Sequence, residues 1–169
     1  MSFLVIVQIG CLIVFALLLI VAGWQDLHTM HISDAIPLAI AGSFLVWALS
    51  GWARGTVTPA QCGGAVLAAV AIFVLAAFAF AARALGGGDV KLLAAASLFA
   101  GPTSLMLDYL LVTALAGGLL ALALLAGLPI GPSSSAPKPP LRVRLRGRLP
   151  YGPAIAAGGL WIVAERALV

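Results

Sequence analysis

Long apolar runs separated by short polar breaks constrain the fold of this chain more than any other feature. A helix needs about 20 mainly apolar residues to cross the hydrocarbon core of a bilayer. Five runs are close to this length and a sixth is shorter; they cover residues 3–24, 35–52, 60–82, 89–101, 104–128 and 151–168. The runs lack the alternation that is typical of strands, so we predict an all-α, polytopic membrane protein of about six transmembrane helices.

The composition excludes a soluble globular domain. Hydrophobic residues make up 63% of the 169 positions and charged residues only 8%, whereas soluble domains carry about a quarter charged residues. The two cysteines, Cys11 and Cys62, lie in or beside apolar runs and have no metal-like spacing. We therefore expect residues 1–169 to form a single membrane-embedded domain whose surroundings are the lipid bilayer, with no cofactor.

The positive charge is concentrated in one segment. Residues 129–150 are rich in proline and hold five of the nine Lys and Arg residues, in a chain of net charge +4. This pattern predicts an exposed cytoplasmic loop that sets the topology, and it does not indicate a nucleic-acid partner.

The distribution of Lys and Arg also orients the spans. If the N-terminus lies outside, the breaks at 25–34, 83–91 and 129–150 face the cytoplasm and carry seven of the nine basic residues. Only Arg54 and Arg166 then lie on the outer side. The positive-inside rule favours this orientation.

Two aspartates are predicted to meet at the cytoplasmic side. Asp26 lies at the inner end of the first span, and Asp89 lies at the inner start of the fourth. Ionisable groups in or near lipid are costly and mark function more often than they do in soluble proteins. Two carboxylates held close share a proton, so one can take a proton from water while the other polarises a carbonyl. The pair therefore predicts peptide hydrolysis without a covalent intermediate.

Three glycines, residues 86–88, precede the second aspartate. Because glycine has no Cβ, this stretch permits positive φ and close backbone approach, so an extended peptide could lie against the site. Asp89 is expected to cap the helix that follows it, and Lys91 is near enough to assist.

The remaining polar residues have simpler interpretations. Asp34 is expected to cap the second span, and Asp108 to have a structural or interfacial role on the outer side. His28 and His31 lie three residues apart beside two aspartates, a grouping that could hold zinc or iron. The chain has no further histidine and no His-Glu-x-x-His motif, so we favour a solvated loop and no metal.

Three motifs resemble those of the type IV prepilin peptidases, membrane aspartic proteases of the Gly-x-Gly-Asp type. Residues 86–91, Gly-Gly-Gly-Asp-Val-Lys, match that family's Gly-x-Gly-Asp-x-Lys. Residues 26–34 begin with Asp-Leu and end with Ile-Ser-Asp, similar to its Asp-Leu-Arg and Ile-Pro-Asn. Residues 150–155, Pro-Tyr-Gly-Pro-Ala-Ile, are similar to its Pro-Tyr-Gly-x-Ala-Ile. The motifs occur in family order on a six-span plan, so the resemblance covers nearly the whole chain.

The resemblance implies an endopeptidase that removes the leader peptide of prepilin or pseudopilin precursors at the cytoplasmic face of the bacterial inner membrane. By matched position, Asp26 and Asp89 become the catalytic pair. The motif positions that would bind substrate or shape the site are Gly86, Gly88, Lys91, Tyr151 and Gly152. Tyr151 also suits the interfacial position of an aromatic residue at the start of a span.

The chain departs from the family pattern in ways that bear on local shape and substrate preference. His28 stands where arginine is common, and Ser33-Asp34 replaces Pro-Asn. Larger members of the family carry a cysteine-rich, zinc-binding cytoplasmic insert and methylate the new N-terminus. This chain has two cysteines and no such insert, so the resemblance implies a peptidase without N-methyltransferase activity, similar to the small peptidases of tight-adherence (Flp) pili.

Two other classes of protein are compatible with the apolar spans. A small transporter could use the glycine break, Asp89 and Asp108 to build a substrate path or a proton relay. A pilus-assembly scaffold would explain the spans but would leave the paired aspartates without a role.

Overall fold

Six α-helices make up the part of the chain that the computed structural model describes, which is residues 3–126 and 150–168. They are α1 (Phe3–Thr29), α2 (Ala35–Ala53), α3 (Pro59–Ala81), α4 (Gly87–Ala100), α5 (Ser104–Leu125) and α6 (Gly152–Leu168). No strand occurs in these two ranges, and the prediction of an all-α fold is confirmed. The predicted basic loop at 129–150 lies outside the described residues except for Pro150, which is buried.

Four of the helices, α1, α2, α3 and α5, are long and apolar enough to cross a membrane. Their outer faces expose large apolar side chains, including Leu67, Phe78 and Leu107, each with 70% or more of its surface accessible. Soluble proteins rarely expose such continuous apolar surface, whereas lipid solvates it. The chain is therefore a multi-pass membrane protein.

The short helix α4 lies at the centre of the arrangement. It packs against α2, α3 and α6, and more lightly against α5, and nine of its 14 residues are buried. At about 1.5 Å per residue it is about 21 Å long, which is shorter than the ~30 Å hydrocarbon core. It ends at Gly101, whose φ of 65° is in the left-handed region, followed by Pro102. Because α4 is enclosed by other helices, it does not need to span the bilayer by itself.

Stacked aromatic rings join three helices at the core. Phe15 of α1 stacks on Phe99 of α4 with ring centroids 4.2 Å apart. Phe44 of α2 meets the same ring edge-on at 5.4 Å. The rings of Phe15 and Phe99 are fully buried, so this cluster fixes the positions of α1 and α2 relative to α4.

The first helix extends further than its apolar run. We expected a polar break at 25–34, but α1 continues to Thr29 and ends at Met30, which has a φ of 52°. The amide of Met30 still donates to the carbonyl of Asp26 at 3.0 Å. Polar residues can continue a helix that tertiary packing supports, so the end of hydrophobicity was the wrong signal for the end of the helix. As a result, Asp26 is carried by a helix and not by a loop.

Glycines let α6 approach α5 closely. A Cβ at Gly158 would overlap Thr113 Oγ1 and lie 2.8 Å from the carbonyl oxygen of Tyr109. Tyr109 also ties α5 to α4, because its hydroxyl donates to the carbonyl of Leu93 at 3.1 Å. The contact between α5 and α6 is thus of the small-residue type that is common between helices in membranes.

Substitution of Gly158 by alanine tests this contact. We expect Gly158→Ala to destabilise the fold by about 1–3 kcal/mol, the usual cost of overpacking, because backbone atoms must shift. Gly118→Ala is the matched control, since a Cβ there meets nothing within 4 Å. Thermal unfolding in detergent should show a lower midpoint for the first variant alone; equal midpoints would contradict the close approach of the two helices.

Candidate active site

A polar cavity of about 90 Å³ lies where α1 ends and α4 begins. Its lining comes from three pieces of chain: the end of α1, the loop after it, and the glycine turn that starts α4. The lining residues are Asp26, Met30, His31, Ile32, Gly86, Gly87, Gly88 and Asp89. The cavity is large enough and polar enough to hold several water molecules. The structure thus brings the two predicted aspartates to one cavity.

Asp26 is held by the start of α6. Its side chain is only 5% exposed, and its Oδ2 accepts a hydrogen bond of 2.7 Å from the backbone N–H of Gly152. A Cβ at Gly152 would lie 2.6 Å from Asp26 Cβ and 2.9 Å from Oδ2, closer than any real side chain could be. Glycine is therefore required at position 152, because α6 could not otherwise present its N–H to the carboxylate. The first amides of a helix have no partner within the helix, so α6 provides a ready donor.

Asp89 is the third residue of α4 and not the cap that we predicted. The capping position belongs to Gly86, whose backbone N–H donates to Asp89 Oδ2 at 3.1 Å. The other carboxylate oxygen, Oδ1, is buried and has no hydrogen-bond partner among the described residues. A buried polar atom without a partner is costly, so this oxygen is suited to receive a proton, a water molecule or a substrate group.

The glycines of residues 86–88 have ordinary φ angles, and two of them lie very close to neighbouring atoms. Among the described glycines only Gly55 and Gly101 have positive φ, so residues 86–88 do not use the positive φ that glycine permits. A Cβ at Gly86 would lie 2.8 Å from Asp89 Oδ2, and one at Gly88 would lie 3.0 Å from Ile32 Cβ. At Gly87 the nearest atom would be a Phe80 ring carbon at an ordinary 3.6 Å. A side chain at position 86 would therefore displace the Asp89 carboxylate and one at position 88 would require Ile32 to shift, whereas position 87 tolerates a side chain.

The loop between α1 and α2 closes one side of the cavity. Ile32, only 3% exposed, packs against Gly88, and the amide of Ser33 donates to Gln25 Oε1 at 3.3 Å. Met30 and His31 also line the cavity, which the sequence did not predict. The only signal for them was their position just after Asp26.

Lys91 and Asp34 form an ion pair beside the cavity. Lys91 Nζ lies 2.7 Å from Asp34 Oδ1, and both side chains are largely exposed. Asp34 occupies the N-cap position just before α2, as predicted, but its side chain makes no capping hydrogen bond. Lys91 likewise makes no hydrogen bond to either cavity aspartate. The pair instead links the first turn of α4 to the loop that closes the cavity.

Tyr151 lies outside the cavity, as do the motif residues Lys91 and Gly152. Its ring packs on α5, where a Cβ at Gly117 would lie 3.4 Å from it. Tyr151 accepts a bond from the amide of Ile155 through its carbonyl. These contacts hold the start of α6 in place. They thereby also position the Gly152 amide that donates to Asp26.

The histidines do not gather with other potential ligands. His28 Nδ1 is 2.9 Å from the carbonyl of Trp24, and its ring stacks on that tryptophan. His31 is exposed at the cavity. Within residues 3–126 and 150–168, no group of three His, Cys, Asp or Glu side chains is arranged to hold a metal ion.

These features define a helical membrane protein with two buried aspartates at one small polar cavity. A family model described as the type IV leader peptidase family matches residues 13–125, which is more than half of the chain. The chain belongs to the type IV leader peptidase family. No curated protein and no solved structure gives a significant match.

The ion pair predicts a specific dependence of stability on pH. The hydrogen bond from Lys91, and then its charge, hold the pKa of the Asp34 carboxyl below its usual range. A group whose pKa is lowered by folding stabilises the fold above its unfolded-state pKa, and this contribution is lost as pH falls through the folded-state pKa. At neutral pH the thermal unfolding midpoint of the wild type should therefore be slightly higher than that of Lys91→Met. At acidic pH the two midpoints should converge.

The double variant Asp34→Asn/Lys91→Met serves as the control for that experiment. Both this double variant and Lys91→Met lack the ion pair, so their unfolding midpoints should depend on pH in the same way. If the difference in unfolding midpoint between the wild type and Lys91→Met grew as the pH fell, the ion pair would be contradicted.

The glycine contacts predict which alanine substitutions the site tolerates. Gly152→Ala should lower leader-peptide cleavage at least tenfold, because displacing a reacting group by about 1 Å can cost 10²-fold. Gly88→Ala should have a smaller effect, because Ile32 can move. Gly87→Ala, the matched control, should cleave like the wild type. Cleavage rates of the three variants test this ranking, and unfolding midpoints verify that each variant is folded. If Gly87→Ala alone lost activity, the prediction would be wrong.

Proposed function

We propose that the protein is a membrane aspartic endopeptidase in which Asp26 and Asp89 together activate a water molecule. The observation that carries this proposal is the shared cavity, where each aspartate has one oxygen bonded to a backbone N–H. These amides fix both carboxylates in position. The unpartnered Oδ1 of Asp89 is the site where a proton or water can be bound.

The reaction needs one ionised and one protonated carboxyl group. The ionised group takes a proton from water as the water oxygen attacks the peptide carbonyl carbon. The protonated group gives its proton to the carbonyl oxygen, which yields a gem-diol. The diol then collapses: the peptide nitrogen takes a proton from the first carboxyl, the C–N bond breaks, and one diol hydroxyl returns its proton to the second carboxyl. The pair ends in its starting protonation state.

The family and the predicted position of the cavity both support one substrate class. Type IV leader peptidases point to prepilin or pseudopilin precursors, cleaved at the junction between leader and apolar helix. The basic residues favour a cytoplasmic position for the cavity, and so the inner membrane of a bacterium as the location. The two cysteines of the chain, Cys11 in α1 and Cys62 in α3, do not form the cysteine-rich zinc site of the larger family members. This supports peptidase activity without N-methylation.

Cleavage of a pilin precursor tests the role of the pair. Asp26→Asn and Asp89→Asn, each co-expressed with the precursor, should lower leader removal by about 10²-fold or more, because either change removes one proton-transfer group. A gel shift of the precursor provides the measurement, and equal membrane expression confirms that the variants fold.

Asp34→Asn is the matched control for these variants. It changes an exposed aspartate near the cavity to the residue that the resembled motif carries, so cleavage should continue. Cleavage that persists in either cavity variant would rule out the pair. If the wild type failed to cleave, the transporter or scaffold function would take its place.

A further inference from the structure

A second, larger recess lies at the opposite end of the helices from the aspartate cavity. It has a volume of about 820 Å³ and is bordered by the first half of α1 and by the ends of α2, α5 and α6 that lie on that side. Its apolar wall includes Val5, Ile9 and Ile13. Ile9 and Ile13 are 43% and 55% exposed, so the wall continues into the lipid-facing surface of α1. The predicted orientation places this recess in the outer leaflet.

The carboxyl end of α4 lies beside the recess, because Arg166, which lines the recess, contacts it. α4 ends at Ala100, so the carbonyl groups of its last turn have no partner further along the helix. Arg166 of α6 reaches this end of α4. Its Nε and Nη2 donate to the carbonyl oxygen of Phe99 at 3.2 and 3.0 Å, and its guanidinium lies 5.1 Å from the centre of the Trp47 ring. A backbone carbonyl at membrane depth needs such a partner.

Four charged side chains surround the recess without pairing with one another. They are Arg54, Asp108, Glu165 and Arg166. In the described part of the chain, the ion pair between Lys91 and Asp34 is the only one within 4.0 Å. Arg54 donates to the Gln8 side chain, and Arg166 to a neutral carbonyl. Charges near lipid are costly unless they are paired. Two cations and two anions at one apolar recess complement a ligand that carries both charges and an apolar tail.

We propose that the recess binds a phospholipid whose headgroup carries a phosphate and a primary amine. The two arginines bind the phosphate, because guanidinium groups match phosphate oxygens in charge and geometry. Asp108 and Glu165 accept hydrogen bonds from the ammonium group. The acyl chains lie along the apolar wall of α1. A lipid suits the site better than a soluble ligand because this wall opens to the bilayer.

Native mass spectrometry of the full chain tests this proposal. The purified protein is mixed with phosphatidylethanolamine, phosphatidylglycerol or phosphatidylcholine of identical acyl chains. Phosphatidylethanolamine should bind at least several-fold more tightly than the other two, because only it offers both the phosphate and a hydrogen-bonding amine. Equal binding of the three lipids, or preference for phosphatidylglycerol, would overturn the proposal.

Charge variants then identify the site. Arg54→Gln and Glu165→Gln should each weaken phosphatidylethanolamine binding about tenfold, as expected for the loss of a charge-assisted hydrogen bond. Arg83→Gln removes an exposed cation at the opposite end of the helices and should bind like the wild type. Unfolding midpoints verify that each variant is folded. Unchanged binding in both recess variants would place the lipid elsewhere.

A headgroup without acyl chains separates a lipid from a soluble ligand. Glycerophosphoethanolamine, added at the concentration of the lipid, should leave lipid binding unchanged. Efficient displacement by this compound would mean that the recess recognises the free headgroup, and the lipid assignment would be wrong.

Discussion

The hydrogen bond from the Gly152 amide to Asp26 is the contact on which the site depends. A carboxylate buried to 5% exposure requires a donor, and the helix start of α6 supplies one at 2.7 Å. That donor can approach only because residue 152 lacks a Cβ. The same arrangement recurs at α4, where Gly86 presents its amide to Asp89. Two helix starts and two glycines therefore make it possible for a largely apolar protein to keep a pair of acids at one cavity.

The helical fold of the described residues and the meeting of the two aspartates could be predicted because the sequence signals for them are strong. Apolar runs of membrane-spanning length leave few alternatives to helices, and charges are so rare in this chain that Asp26 and Asp89 stood out. The glycines at 86 and 88 were singled out as positions that permit close approach; the structure shows that the atoms that come close are those of Asp89 at position 86 and of Ile32 at position 88.

Other features depend on tertiary contacts that a sequence does not display. The continuation of α1 through Thr29 is stabilised by packing, so hydrophobicity ended before the helix did. The partner of Lys91 is 57 residues away, and no local pattern indicates that Asp34 binds it and leaves α2 uncapped. Met30 and Ile32 are ordinary apolar residues in a polar break, and only the folded loop shows that they close the cavity.

The sequence distance between Asp26 and its donor has a consequence for biosynthesis. The two residues are 126 positions apart, and the donor begins α6, which follows the other described helices in the chain. Until α6 has been synthesised and has packed against α1, Asp26 lacks the amide that positions it. Under the proposed mechanism the pair of aspartates is therefore complete only once α6 has packed against α1, and a partly synthesised chain that lacks α6 would be unable to cleave precursors.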